Sequence, residues 1–170
     1  MKLTAIALRQ HPRMAARWDG DRLIVPEAND DLPIGVAVDT EDGLLVPVIR
    51  HVPTLSLRQL AERSRDLIEQ ARAGKLSASE MQGGVFTITN LGAFGIDVFT
   101  PIINLPETAI LGLGTIRREP VVVDNDHIAV GDVITLSLTF DHRVTDGAPA
   151  ARFLQTIRNA IEEAAAWLLS

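Results

Sequence analysis

The chain has 170 residues, 46% hydrophobic and 22% charged, with a net charge of −6: about one domain, too apolar for a disordered tail and without the basic footprint of a nucleic-acid binder. It contains no cysteine, which excludes disulfides, thiolate metal sites, iron–sulfur clusters and cysteine nucleophiles, and fits a reducing compartment such as the cytoplasm. No apolar run nears the roughly 20 residues of a membrane span.

Residues 2–10 read as a short helix stopped before Pro12. The same apolar start breaks at Arg9-Gln10-His11-Pro12, too early for a signal peptide. Residues 19–33 are polar and turn-rich, with Ile24-Val25 as a short strand candidate. Ile34–Val38 and Leu44–Ile49 predict a hairpin around Asp39–Gly43, with Pro47 marking an edge strand or a bulge. Residues 57–73 carry apolar positions at helical spacing, with Ser56 to cap the start and Gly74 to end it. Leu76–Met81 read as a small capped turn or short helix, and 83–90 as a strand. Residues 91–108 read as an irregular stretch whose Phe94, Ile96, Val98, Phe99, Ile102 and Ile103 need cover from the core or from another subunit. A strand follows over 109–118, where the spacing of Gly112 and Gly114 predicts a close backbone approach. Val121–Val123 and His127–Val130 predict a second hairpin around Asp124-Asn125-Asp126. Residues 133–140 alternate, with Thr135, Ser137 and Thr139 on one face and Ile134, Leu136, Leu138 and Phe140 on the other. A last helix is predicted over 148–168, burying Phe153, Ile157, Ile161, Ala164 and Leu168. Strands in the middle, helices around them and no βαβ repeat predict an α+β sandwich.

Phe140-Asp141-His142-Arg143-Val144-Thr145-Asp146-Gly147-Ala148 concentrates the chemistry, with four ionisable residues within six positions where a strand ends and a helix begins. Such a cluster is expensive to leave without use or pairing. His142 suits a general base near neutral pH, with Asp141, Arg143 and Asp146 holding its surroundings. Asp146 reaches back toward the histidine or an arginine, or caps the following helix; the residues alone leave these readings open. The four histidines have no ligand spacing and no HExxH pattern exists, so no metal site is expected. His11, His51 and His127 read as solvent-facing. The glycines make neither GxGxxG nor a P-loop. Thr87 and Thr89 share a strand face and read as ordinary strand threonines.

Four stretches together resemble the C-terminal catalytic domain of the dihydrolipoamide acyltransferase (E2) component of 2-oxo acid dehydrogenase complexes. They are Ile34–Asp39 continuing through Gly43–Ile49, Gly83–Gly92, Phe99–Asn104 and Asp141–Gly147. The resemblance implies the chloramphenicol acetyltransferase-like two-layer sandwich, with a mixed β-sheet and packed helices. It implies a homotrimer, which the family stacks into cubic or dodecahedral cores, with the active site in a channel between neighbouring subunits. The activity implied is acyl transfer between dihydrolipoamide and coenzyme A. His142 matches the general base, Thr89 the hydroxyl that stabilises the oxyanion, and Asp146 the Asp or Asn position near the histidine. Coenzyme A is then a substrate, no metal is involved, and the lipoyl group comes from a separate domain or protein. Neither nucleic acid nor membrane is an expected partner.

Against the family pattern, residues 1–170 read as a single catalytic domain lacking roughly the usual first 50–60 residues, with no lipoyl or subunit-binding domain. Where the family usually reads HPxxNA, this chain has His11-Pro12-Arg13-Met14-Ala15-Ala16, with alanine in place of asparagine. Two alternatives stand beside the acyltransferase reading: a non-catalytic oligomeric scaffold or remnant keeping the core fold, and an enzyme of this fold using another acyl-CoA or thiol acceptor.

Overall fold

Short apolar alternations build the centre of the molecule. The computed structural model describes residues 1–27, 31–123 and 126–169. Helix α1 (Lys2–Gln10) leads into a small hairpin of β1 (Arg17–Asp19) and β2 (Arg22–Ile24). Next come β3 (Ile34–Val36), β4 (Val38–Thr40), β5 (Gly43–Leu45) and β6 (Val48–Ile49), followed by α2 (Leu57–Arg72) and β7 (Phe86–Asn90). The chain closes with β8 (Ala109–Val123), β9 (His127–Phe140), α3 (Gly147–Glu162) and α4 (Ala164–Leu169). Five strands form one mixed sheet in the order β6-β3-β7-β8-β9, with β3-β7 and β7-β8 parallel and both outer pairs antiparallel. Among the described residues no helix is long and apolar enough to cross a membrane.

Register sorts the strands into two faces, because successive side chains alternate. Phe86, Ile88, Ala109 and Leu111 join Ala5 and Leu8 of α1 and Ala150, Phe153 and Ile157 of α3 in the hydrophobic core. Phe153 is fully buried, with its ring edge-on to Phe86 at 5.7 Å; burying such a side chain is worth roughly 1.5–3 kcal/mol. The opposite face carries Gly35, Thr87, Ile110 and Thr139 in one row, and Thr89, Gly112 and Ser137 in the next. Among the described residues the α-helices cover only the first face, which gives the α+β two-layer sandwich. The loop 91–108 covers part of the second. It lies so close that a Cβ on Gly112 would stand 2.8 Å from the Phe99 ring, and one on Gly114 would meet the Asp97 carbonyl oxygen at 2.0 Å. That is the close approach the glycine spacing predicts.

Helix α2 shows how local chemistry sets a boundary. The Ser56 N–H donates to Gln59 Oε1 at 2.9 Å, and the Gln59 N–H donates to Ser56 Oγ at 3.3 Å, a capping box. Ser56→Ala should cost about 1 kcal/mol in urea unfolding, the usual cost of an N-cap hydroxyl.

Three expectations are corrected. The hairpin over 34–49 divides in two, because the chain turns away at Ala37 and at Val46-Pro47: β3 pairs with β6, and β4 with β5. Pro47 therefore marks a break, and β6 is also the sheet edge. The strands at 109–118 and 121–123 merge into β8, and those at 127–130 and 133–140 into β9. Among the described residues no second strand pairs with β8 beyond Leu113, so Pro120, which lacks an N–H, fits an edge that needs no donor. The predicted turn residues Asp124 and Asn125, and positions 28–30 of the turn-rich stretch, lie outside the described residues. The last helix divides at Glu163. Its buried stripe is Ala150, Phe153, Ile157 and Ala160, whose spacing is tighter than the helical period, so Ile161 rotates off it and is 41% exposed.

Candidate active site

The chemistry-bearing loop starts where β9 ends. The Asp141 N–H donates to the Thr108 carbonyl at 2.8 Å, and the Asp141 carbonyl accepts from Val144 at 3.0 Å and from Thr145 at 3.3 Å, closing a tight turn. Val144 and Thr145 are buried and hold the turn down. The Asp141 carboxylate accepts the Arg143 N–H at 2.9 Å, Arg143 Nη2 at 2.6 Å and Trp18 Nε1 at 3.0 Å. The bond from the Arg143 guanidinium leads these in holding the Asp141 carboxyl far below the usual carboxylate range. Asp141 is thus a fixed anion built into the loop.

His142 projects from this turn with its side chain 72% exposed. Its Nδ1 lies 3.5 Å from Asp146 Oδ1, within ion-pair reach across the turn. Asp146 occupies the N-cap position of α3, yet its side chain makes no capping hydrogen bond. Of the placements left open for Asp146, the carboxylate takes the one beside the histidine.

His142, Arg143, Val144, Thr145, Asp146 and Pro149 form one wall of a cleft of about 470 Å³, and His11, Pro12, Arg13 and Met14 form the other. Arg13 Nη1 donates to the Val144 carbonyl at 3.1 Å and ties the two walls together. His11 is corrected from its solvent-facing expectation: its Nε2 is 2.9 Å from Thr156 Oγ1, and its ring packs edge-on to Phe153 at 5.7 Å. Burial, with Arg152 nearby, lowers its pKa and favours the neutral ring. His51 is exposed, with Nδ1 3.3 Å from Asp31, and His127 is exposed. Among the described residues no group of three or more His, Cys, Asp or Glu is placed to hold a metal.

Thr89 lies elsewhere. It lines a second cleft of about 450 Å³ on the face of the sheet away from the α-helices, with Thr87, Phe99, Ile102 and Asn104 among its neighbours. Within one chain, His142 and Asp146 come together, and Thr89 opens into a different cleft. Beneath that second cleft lies a carboxylate the motif analysis misses. Glu107 is only 2% exposed and accepts the Thr87 hydroxyl at 2.6 Å. Burial pushes its carboxyl up to about 7, against the lowering effect of hydrogen bonds from Thr87 and Asn104. A charged residue just ahead of an apolar strand was the available signal for it. Trp18 and Arg13, also missed, left no such signal, because their partners are remote in sequence.

The 2-oxoacid dehydrogenases acyltransferase (catalytic domain) family model matches residues 1–169. The chain is 44% identical over 168 residues to the dihydrolipoyllysine-residue acetyltransferase component of the acetoin cleaving system of Bacillus subtilis, an alignment covering 99% of this chain and 41% of that protein. It thus spans about two-fifths of the length of that curated relative. The crystal structure of Azotobacter vinelandii dihydrolipoamide acetyltransferase superposes with a TM-score of 0.89 at 43% identity, covering 98% of this chain and 69% of that one. That study concerned the catalytic roles of a serine, a histidine and an asparagine, the last two separated by four positions. Chloramphenicol acetyltransferase, at a TM-score of 0.57 and 13% identity, covering 93% of this chain and 73% of that one, shares the fold.

Proposed function

The chain belongs to the 2-oxoacid dehydrogenase acyltransferase family through its catalytic domain, and from that premise we propose that it transfers an acyl group between dihydrolipoamide and coenzyme A. The observation that carries the reading is the exposed His142–Asp146 pair in a cleft. It repeats the four-position spacing of histidine and asparagine studied in the Azotobacter relative.

Asp146 beside Nδ1 favours the tautomer with the proton on that nitrogen and leaves Nε2 as the base. His142 Nε2 takes the proton from the coenzyme A thiol. The thiolate sulfur attacks the carbonyl carbon of S-acyldihydrolipoamide, and a C–S bond forms as the carbonyl becomes an oxyanion. Thr89 donates its hydroxyl to that oxygen. Collapse breaks the bond to the dihydrolipoamide sulfur, which takes the proton from His142. Holding both substrates together makes a covalent enzyme intermediate unnecessary.

Because Thr89 and His142 of one chain open into different clefts, the hydroxyl of the working site comes from a neighbouring copy. Phe94, Val98, Ile102 and Leu105 near the Thr89 cleft are exposed apolar side chains, the kind of surface a homotrimer would cover. Larger cubic or dodecahedral stacks of such trimers, lipoyl arms delivered by a separate domain or protein, and a cytoplasmic location complete the reading. A scaffold role would not require a histidine presented to solvent in a cleft.

The test is coenzyme A-dependent transfer from S-acyldihydrolipoamide by the full-length protein. Thr89→Ser keeps a hydroxyl on the strand, and its kcat should stay within about threefold of wild type. Mixed trimers of Thr89→Val and His142→Ala chains should show activity well above that of either homotrimer. No transfer by the wild type refutes the reading.

A further inference from the structure

We propose that Trp18 is a positioning residue for the His142 loop, holding Asp141 and Arg143 from outside that loop; the inference rests on the acyl-transfer reading for its kinetic consequence. Asp141 immediately precedes His142, and its carboxylate is a hub. Arg143 contributes most of the bonds to it, but Arg143 belongs to the same turn and moves with it. Among the described residues, Trp18 is the one side-chain donor to that carboxylate from another part of the fold, with Nε1 3.0 Å from Oδ2. The same indole lies under the guanidinium, whose central carbon is 5.0 Å from the ring centroid. One side chain thus holds the anion by a hydrogen bond and the cation by its π face.

Trp18 is itself anchored. Its backbone N–H donates to the Pro106 carbonyl at 2.9 Å, and it pairs with Leu23 in the β1–β2 hairpin. The backbone of Arg17 forms an isolated antiparallel β-bridge with that of Glu107 beside it. The hairpin is therefore fixed to the segment that enters β8, and Trp18 extends from it to the turn after β9. The Asp141 N–H to Thr108 bond fixes where the turn begins. The Trp18 contact fixes how the residues around His142 are rotated, which decides where the imidazole points. Small displacements of a reacting group are costly to rate, so a brace of this kind acts on kcat.

The experiment uses the full-length protein with Trp18→Phe, which keeps a ring under Arg143 and removes the N–H, and Trp18→Leu, which removes both. Expected is a fall in kcat of about threefold for Phe and about tenfold for Leu, with KM for both substrates unchanged. Trp18→Phe should add nothing to Asp141→Ala, because both remove the same bond. The thermal midpoint of Trp18→Phe should match wild type, which separates positioning from folding. Independently of turnover, the rate of diethyl pyrocarbonate modification at His142, read by mass spectrometry, should change at least twofold in Trp18→Leu. Wild-type kcat in both variants, additive losses with Asp141→Ala, or a loss confined to KM overturns the proposal. If the wild type transfers no acyl group, the acyl-transfer reading fails, and the modification rate decides the role of Trp18: an altered rate supports it and an unaltered one overturns it.

Discussion

His142→Ala is expected to lower kcat for coenzyme A-dependent acyl transfer by about 10²–10⁴-fold, the range a positioned general base contributes. The imidazole is exposed on a turn whose geometry rests on Asp141, Arg143, Val144 and Thr145, so its removal takes away chemistry and almost no packing. Surface changes of this kind usually stay within about 0.5 kcal/mol of wild-type stability. The oligomeric state by light scattering and the unfolding midpoint should therefore be those of wild type. Asp146→Asn provides the contrast. It keeps a side chain of the same shape beside Nδ1 and restores the residue named in the Azotobacter relative, so it should retain far more of the rate than His142→Ala. Equal turnover by wild type and His142→Ala would remove the imidazole from the mechanism and leave the scaffold alternative in its place.

What could be read from the sequence was what is encoded nearby. Ser56 announces the start of α2 because an N-cap is a local device, and Gly112 and Gly114 announce a close approach because nothing larger fits there. The Asp141–Gly147 stretch was legible as a site because its charges crowd one turn. The extent of β8 and β9 was not, since a proline usually argues against strand, and only the absence of a second neighbour makes Pro120 harmless. The end of α3 depended on which residues its stripe meets, so Ile161 could not be placed by period alone. Trp18 lies 123 residues from Asp141 in sequence. No spacing rule joins an indole in a three-residue strand to a carboxylate at that separation. The division of Thr89 and His142 between two clefts is likewise a property of the folded sheet. One lies in a central strand and the other just past the end of the edge strand β9.

Glu107 carries the second large effect, on stability instead of rate. It is an acid whose folded-state pKa is raised from an ordinary 4.5 to about 7. In the unfolded chain it ionises near 4.5, whereas the folded protein keeps the proton until about 7, so between those values the native state binds more protons. Its stability therefore falls as pH rises through that window, and the loss is complete above it. The displacement amounts to about 3 kcal/mol. Glu107→Gln has the same size, still accepts the Thr87 hydroxyl and carries no charge at any pH. Below pH 4.5 the variant should be no more stable than wild type, since the wild-type side chain is then also neutral. By pH 8 the balance should have moved in favour of the variant by about 3 kcal/mol. Urea unfolding of both proteins at pH 4, 6 and 8, at one fixed protein concentration so that assembly contributes equally, reads this directly. Two curves that run parallel across the whole range would mean that Glu107 ionises alike in the folded and unfolded chains.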